Sequence, residues 1–177
     1  MGNILIVVDM QNDFIEGALG SAAARAVVPA VAAKTAKAKE RGDTVVFTLD
    51  THADDYLSTH EGRLLPVKHC ISGTWGHELQ KDIRPFAGEG AIIVKKPSFG
   101  SFELIDALKP IADGETSFEL CGLCTDICVI SNALLLRAAF PENDIFVDAD
   151  ACAGTTPAAH EAALAAMRSC HIAVLSK

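Results

Sequence analysis

The sequence predicts a three-layer α/β/α fold in which helices cover both faces of a mostly parallel six-stranded sheet. Six short apolar runs rich in β-branched residues recur along the chain, and segments of helical composition lie between them. Strand alternating with helix is the pattern of a parallel sheet, because each crossover helix returns the chain to the edge it started from. The 177 residues suit one domain over 1–177, long enough to bury a sizeable core and too short for two ordinary domains.

Residues 3–8 (NILIVV) form a continuous apolar run, as expected of a strand buried on both faces. Similar runs follow at 44–49 (TVVFTL), 91–94 (AIIV), 116–120 (TSFEL), 144–147 (DIFV) and 171–175 (HIAVL). Helices are expected at 24–41, 102–112, 126–139 and 157–169, the last Ala-rich and preceded by a Thr155-Thr156 capping signal. Residues 51–85 fit neither period, and a loop that long inside a compact domain is usually functional.

Half of the residues are hydrophobic and 21% are charged, a globular composition. A formal net charge of −8, with no run of Lys or Arg, excludes nucleic acid as an expected partner. The first apolar stretch is broken by Asp9, has no basic region before it and is far short of the ~20 residues that span a bilayer. Neither a secretion signal nor a membrane span is therefore expected. Six cysteines could pair, but a chain with a core of this size needs no staples, so free thiols in a reducing cytoplasm are expected. Cys121, Cys124 and Cys128 invite a zinc reading, which fails for want of a second Cys/His pair at structural-zinc spacing.

Ligands of open parallel sheets bind outside the carboxyl ends of the strands, so the polar residues that close each run matter most. The first run ends at Asp9, the second at Asp50, the third at Lys95 and Lys96, and the fourth leads into 122–128. Two carboxylates, an amine and a thiol are thus delivered to one edge. Asp9 could simply cap the turn that follows; as a functional group it would be desolvated, with a raised pKa suited to proton exchange. Cys128 could be an inert buried thiol; at a helix N-terminus it could be a nucleophile whose oxyanion meets backbone N–H groups. One of Lys95 and Lys96 should be solvated, while an ammonium beside the thiol would lower its pKa.

Three blocks stand in order: Asp9-x-Gln11-x-Asp13-Phe14, Lys96-x-x-Phe99-x-x-Phe102, and Gly122-x-x-Thr125-Asp126-x-Cys128-Val129. In these blocks the sequence resembles the isochorismatase-like cysteine hydrolase superfamily, with its Rossmann-like fold, and within it most the nicotinamidases or pyrazinamidases. The resemblance implies a catalytic set of Asp9, Lys96 and Cys128, and selects Lys96 over Lys95 because Phe99 follows three residues later. It also implies a non-proline cis peptide near Leu123-Cys124, turning the backbone N–H groups of Cys124 and Cys128 toward an oxyanion.

Asp50, His52, Glu61 and His69 supply two oxygen and two nitrogen donors, a set suited to one divalent transition metal, Zn²⁺, Fe²⁺ or Mn²⁺. Nicotinamidases are similar in holding a metal through an Asp-x-His pair and two later ligands, the metal taking the pyridine nitrogen of the substrate. Ser58 occupies the spacing where a third His usually falls; Glu61 matches a variant spacing, with His60 as its rival. Phe14 and Phe99 adjoin the catalytic blocks and could stack on a flat ring, and Leu65 lies where the family often carries an aromatic. His77, His160 and His171 have no such company and are expected to be surface or helix residues.

The implied activity is metal-dependent hydrolysis of nicotinamide to nicotinate and ammonia through a Cys128 thioester, a step of pyridine nucleotide salvage. Another small amide, an N-carbamoyl compound or isochorismate would keep the same cysteine chemistry. A binding module without catalysis is the competing class, since fold alone does not fix function. The expected partner is a small-molecule amide, not nucleic acid or membrane, with a homo-oligomer left open.

Overall fold

Strand β1 (Asn3–Val8) is buried from Ile4 to its end, because it lies inside the sheet with neighbours on both sides. The computed structural model describes residues 2–176. Around β1 stand β2 (Thr44–Asp50), β3 (Ile92–Lys96), β4 (Ser117–Leu123), β5 (Ile145–Ala153) and β6 (Ala173–Leu175), in the order β3-β2-β1-β4-β5-β6. Every pairing is parallel, so the sheet is wholly rather than mostly parallel.

The helices are α1 (Asn12–Ile15), α2 (Ala22–Arg41), α3 (His60–Leu64), α4 (Phe102–Leu108), α5 (Ile130–Ala139) and α6 (Pro157–Ser169). Helix α2 packs across β2, β1, β4 and β5, whereas α4, α5 and α6 touch one another in that order. Right-handed crossovers explain this: the chain moves one way from β1 to β2 and the other way from β4 to β6, which places the helices on opposite faces. The reversal falls between β1 and β4. In a sheet of this order the crevice at that point, outside the carboxyl ends of the strands, is where ligands bind.

Several boundaries differ from the sequence reading for local reasons. Helix α4 stops at Leu108 instead of running to 112: Lys109 still holds helical angles and bonds back to the Ile105 carbonyl, but Pro110 has no N–H with which to continue the ladder. Helix α2 begins at Ala22 because Ser21 is the cap, its Oγ accepting from the Ala24 N–H at 3.0 Å. Strand β5 runs on to Ala153 past a register shift opposite Leu120 and Gly122, so its small and acidic residues 148–150 hid its length. Between β4 and α5, residues Thr125–Val129 form one π-type turn, in which the Val129 N–H reaches back to the Cys124 carbonyl. The irregular stretch 51–85 is built from α3 and three single 3₁₀ turns, each too short to leave a periodic signal.

Gly122 faces Val8 across the β1–β4 pairing with φ of +117°, and a Cβ there would lie 2.2 Å from the Val8 carbonyl oxygen. Only glycine tolerates both the backbone angle and that approach. Gly122→Ala should therefore cost about 2–4 kcal/mol, read as a lower midpoint in chemical denaturation. An unchanged midpoint would mean that the two strand ends are not held together this tightly.

Candidate active site

Where β1 runs out, Asp9 turns the chain with φ of +48°, a conformation that needs support in a non-glycine residue. Support comes from β2: the Asp9 N–H reaches both the carbonyl and the hydroxyl of Thr48 at 3.2 Å, and Thr48 Oγ1 donates to Asp9 Oδ1 at 2.6 Å. The other carboxylate oxygen, Oδ2, is left to Lys96, whose Nζ lies 2.6 Å away. Lys96 closes β3, with its side chain fully buried, while Lys95 next to it is exposed, as the alternation of a strand requires. The ammonium also lies 3.0 Å from the Ser98 carbonyl, 3.4 Å from Cys128 Sγ and 3.5 Å from Asp50 Oδ1. Asp9, Lys96 and Cys128 thus meet, delivered by three separate elements.

Burial pushes the Asp9 carboxyl up, with Lys96 opposing it. Burial works against the Lys96 ammonium too, but the facing Asp9 charge holds its pKa above the ordinary value. The Cys128 thiol departs from the sequence expectation. Burial and then the Asp9 carboxylate raise it well above the usual thiol range, and Lys96 compensates only in part. Burial thus favours the protonated thiol, and ionising it calls for a nearby proton acceptor, a place that Asp9 occupies.

Beside this group Asp50 Oδ2 lies 2.9 Å from His52 Nε2 and 3.4 Å from His69 Nε2. The ligand atoms of these three residues all fall within 4.8 Å of one another. Glu61 Oε1 joins them at 3.8 Å from His52 Nε2 and 3.6 Å from His69 Nε2, whereas His60 is exposed. Helix α3 starts at His60, so the next residue inward, Glu61, is the one turned to the imidazoles. His69 Nδ1 donates to the Val67 carbonyl at 2.8 Å, which leaves Nε2 with a lone pair facing the group. Burial lowers the His69 pKa, yet Asp50 and that carbonyl raise it overall; the converging oxygens attract positive charge. Asp50, His52 and His69 form a group that could hold a transition-metal cation, with the Glu61 carboxylate near both imidazoles.

A cavity of about 310 Å³ connects the two groups. Asp50, Glu61, His69 and Cys128 line it, together with Phe14, Leu65, Phe99, Cys124 and Ile127. Phe14 and Phe99 both keep ring surface available there, and Leu65 is an exposed aliphatic wall. The peptide Leu123-Cys124 is cis, and the turn after it carries Cys128 to the cavity. Of the histidines expected to be surface or helix residues, His171 is exposed and His160 lies in α6, but His77 is buried, its ring 2.9 Å from the Thr51 hydroxyl. The reason is a long-range contact that no local pattern announces.

Other residues hold the site without touching the cavity, and no role for them was assigned from the sequence. The Asn132 side-chain amide donates to the carbonyls of Cys128 and Phe99, while its oxygen accepts from the Ser101 N–H, tying the Lys96 loop to the cysteine helix. Asp13 accepts from the Cys70 N–H at 2.8 Å, and Gly76 passes so close to that carboxylate that a Cβ would overlap it. Tyr56 packs against His52 and His69, with ring centroids 4.6 and 4.9 Å away. Asn132 sits one helical turn after Cys128, which is a readable clue; Tyr56 is marked by nothing local.

A thiol, a buried carboxylate and a fixed ammonium meet in the crevice of a doubly wound sheet, an arrangement suited to hydrolysis of the cysteine type. The Isochorismatase domain family matches residues 3–177, and the chain belongs to that family. The solved pyrazinamidase of Pyrococcus horikoshii, in complex with zinc, is 30% identical, covers both chains completely and superposes with a TM-score of 0.86. The nicotinamidase of Schizosaccharomyces pombe is 28% identical over 98% of this chain and 92% of its own. A probable inactive nicotinamidase of Arabidopsis thaliana is 29% identical over 93% of this chain and 87% of its own, so likeness alone does not decide activity. Taken with the intact thiol, carboxylate and ammonium, these relatives place the chain among enzymes that act on carbon–nitrogen bonds of amides.

Lys96 is the sole cation in contact with both Asp9 and Asp50 among the described residues. Lys96→Met keeps most of the volume but leaves the buried Asp9 carboxylate without its ionic partner, and should destabilise the fold by about 3–5 kcal/mol near neutral pH. The loss should shrink as pH falls. A buried carboxyl without its partner binds a proton more tightly folded than unfolded, so stability rises with acidity. Denaturation at several pH values checks both the size and the slope; a pH-independent loss would contradict the pairing.

Proposed function

We propose that the chain hydrolyses nicotinamide to nicotinate and ammonia by covalent cysteine catalysis. The observation that carries this reading is the position of Lys96 Nζ, 2.6 Å from Asp9 Oδ2 and 3.4 Å from Cys128 Sγ, directly behind a cavity that Cys128 lines together with Asp50, Glu61 and His69. As the Cys128 sulfur attacks the amide carbon, its proton passes to Asp9 and the new charge resides on the carbonyl oxygen. Lys96 remains cationic and keeps the carboxylate oriented. Backbone N–H groups of Cys124 and Cys128 would receive the oxyanion, each typically worth about 3–4 kcal/mol. Asp9 then returns its proton to the nitrogen, so that ammonia leaves in place of the far poorer amide anion. A water deprotonated by Asp9 cleaves the resulting thioester, and the sulfur regains a proton as the acid departs.

Asp50, His52, Glu61 and His69 would hold one divalent cation, zinc, iron or manganese. When bound, it supplies a Lewis-acid anchor for a ring nitrogen. Phe14 and Phe99 would flank the ring, and Leu65 would close the cavity without stacking. The free thiols suit a reducing cytoplasm, and the acid formed suits salvage of pyridine nucleotides. Leu65 favours one alternative: lacking a stacking ring there, the cavity could instead accept another small amide or an N-carbamoyl compound.

Purified protein supplied with a transition metal should release ammonia from nicotinamide. Cys128→Ser should lower turnover by about 10³-fold or more while nicotinamide still binds, since ring and metal contacts do not involve sulfur. Wild-type protein that releases ammonia only from an N-carbamoyl compound would replace the substrate; full activity in Cys128→Ser would overturn the chemistry.

A further inference from the structure

Gln11 is fully buried, although its side chain neither lines the cavity nor caps α1, whose N-cap position it occupies. Its amide instead reaches the end of β2: Oε1 accepts from the Asp50 N–H at 2.8 Å, and Nε2 donates to the Asp50 carbonyl at 2.9 Å. The second Nε2 hydrogen goes to the His77 carbonyl, also at 2.9 Å. A reversed amide would set its oxygen against two carbonyls, so the neighbours dictate the orientation.

The need for this contact follows from the sheet. Pairing of β1 with β2 ends at Val8 opposite Thr48, because Asp9 turns away with its positive φ. Strand β2 continues to Asp50, paired on its other side with Lys96. On the β1 side the backbone groups of Asp50 would therefore be buried without partners, which is destabilising. The Gln11 amide takes the place of the missing strand. Through its own backbone Gln11 is also bound to the turn, its N–H 2.7 Å from the Asp9 carbonyl, and it bridges to Leu79.

We propose that Gln11 is a positioning residue that fixes the Asp50 carboxylate for metal binding and sets it relative to Asp9, an inference that rests on the cation site of the proposed function. Asp50 is the residue common to both groups, contacting His52 and His69 through Oδ2 and Lys96 through Oδ1. Freeing its backbone loosens the cation site and the proton-transfer pair together. Supporting residues behind metal ligands typically change affinity by 10- to 100-fold.

The test is zinc affinity, measured by competition with a chromogenic chelator and without substrate, for wild type, Gln11→Met and Gln11→Glu. Met keeps the length and loses every hydrogen bond; Glu keeps the acceptor and loses both donors. Thr35→Val, which removes a buried hydrogen bond inside α2 to the Val31 carbonyl, is the control for stability loss alone. Expected are zinc binding weakened about 10- to 100-fold in both Gln11 variants, unaltered binding in Thr35→Val, and a fall in kcat exceeding the change in KM at saturating zinc. Folded Gln11→Met with wild-type zinc affinity would overturn the positioning role and leave the proposed function standing. Wild-type protein that binds no zinc, iron or manganese would overturn both. If Gln11→Met does not fold, Gln11→Glu decides by the same readout, and failure of both to fold while Thr35→Val folds would refute a role confined to positioning.

Discussion

A fully buried ammonium constrains much of this structure. Lys96 Nζ has Asp9, Asp50, the Ser98 carbonyl and Cys128 around it, and removing any acidic neighbour leaves charge in a medium that solvates it poorly. The requirement fixes the ends of β1, β2 and β3 relative to one another. The thiol, which burial favours in its protonated form, has beside it a carboxylate, Asp9, whose charge burial opposes and Lys96 supports. Reactivity then belongs to the cluster, and no member of it carries a pKa that can be interpreted alone.

The topology supplies the place for that cluster. Helices leaving β1 and β4 depart to opposite faces, so the crevice between those strands is not covered by either crossover. Asp9 emerges on one side and the 122–128 turn on the other, with Gly122 allowing β4 to approach Val8. One strand further, Asp50 ends β2 and turns toward His52 and His69. A bound amide would therefore meet sulfur at the crevice with the carboxylate–imidazole group close beside it, since Lys96 Nζ lies 3.4 Å from Cys128 Sγ and 3.5 Å from Asp50 Oδ1, which suits a small ring joined to a carboxamide.

Strand ends were legible in the sequence because a continuous apolar run stopped by a charged residue is a local event. Asp9, Asp50 and Lys96 were read in this way, and the choice of Lys96 over Lys95 agrees with the alternation that buries one and exposes the other. The donors of the cation site lay on a loop without periodicity, yet Asp-x-His at a strand end was enough to flag it, and the structure turns Glu61 inward and His60 out. What could not be read was support at long sequence separation. Thr48 and Gln11 act on partners 39 residues away, and His77 is buried by contacts that only the folded loop creates. The same holds for the thiol: the nearby cation, which lowers its pKa as expected, was visible in the sequence, while the depth of burial that outweighs it was not.

The central claim is that the Cys128 sulfur becomes acylated while Asp9 carries its proton. Rapid quenching of the protein with a slowly deacylating pyridine carboxamide, followed by intact and peptide mass analysis, tests it most directly. The account predicts an acyl adduct on the peptide containing Cys128, formed in wild type and absent in Asp9→Asn. Turnover without any adduct on that peptide, or an adduct that forms as fast in Asp9→Asn as in wild type, would contradict it.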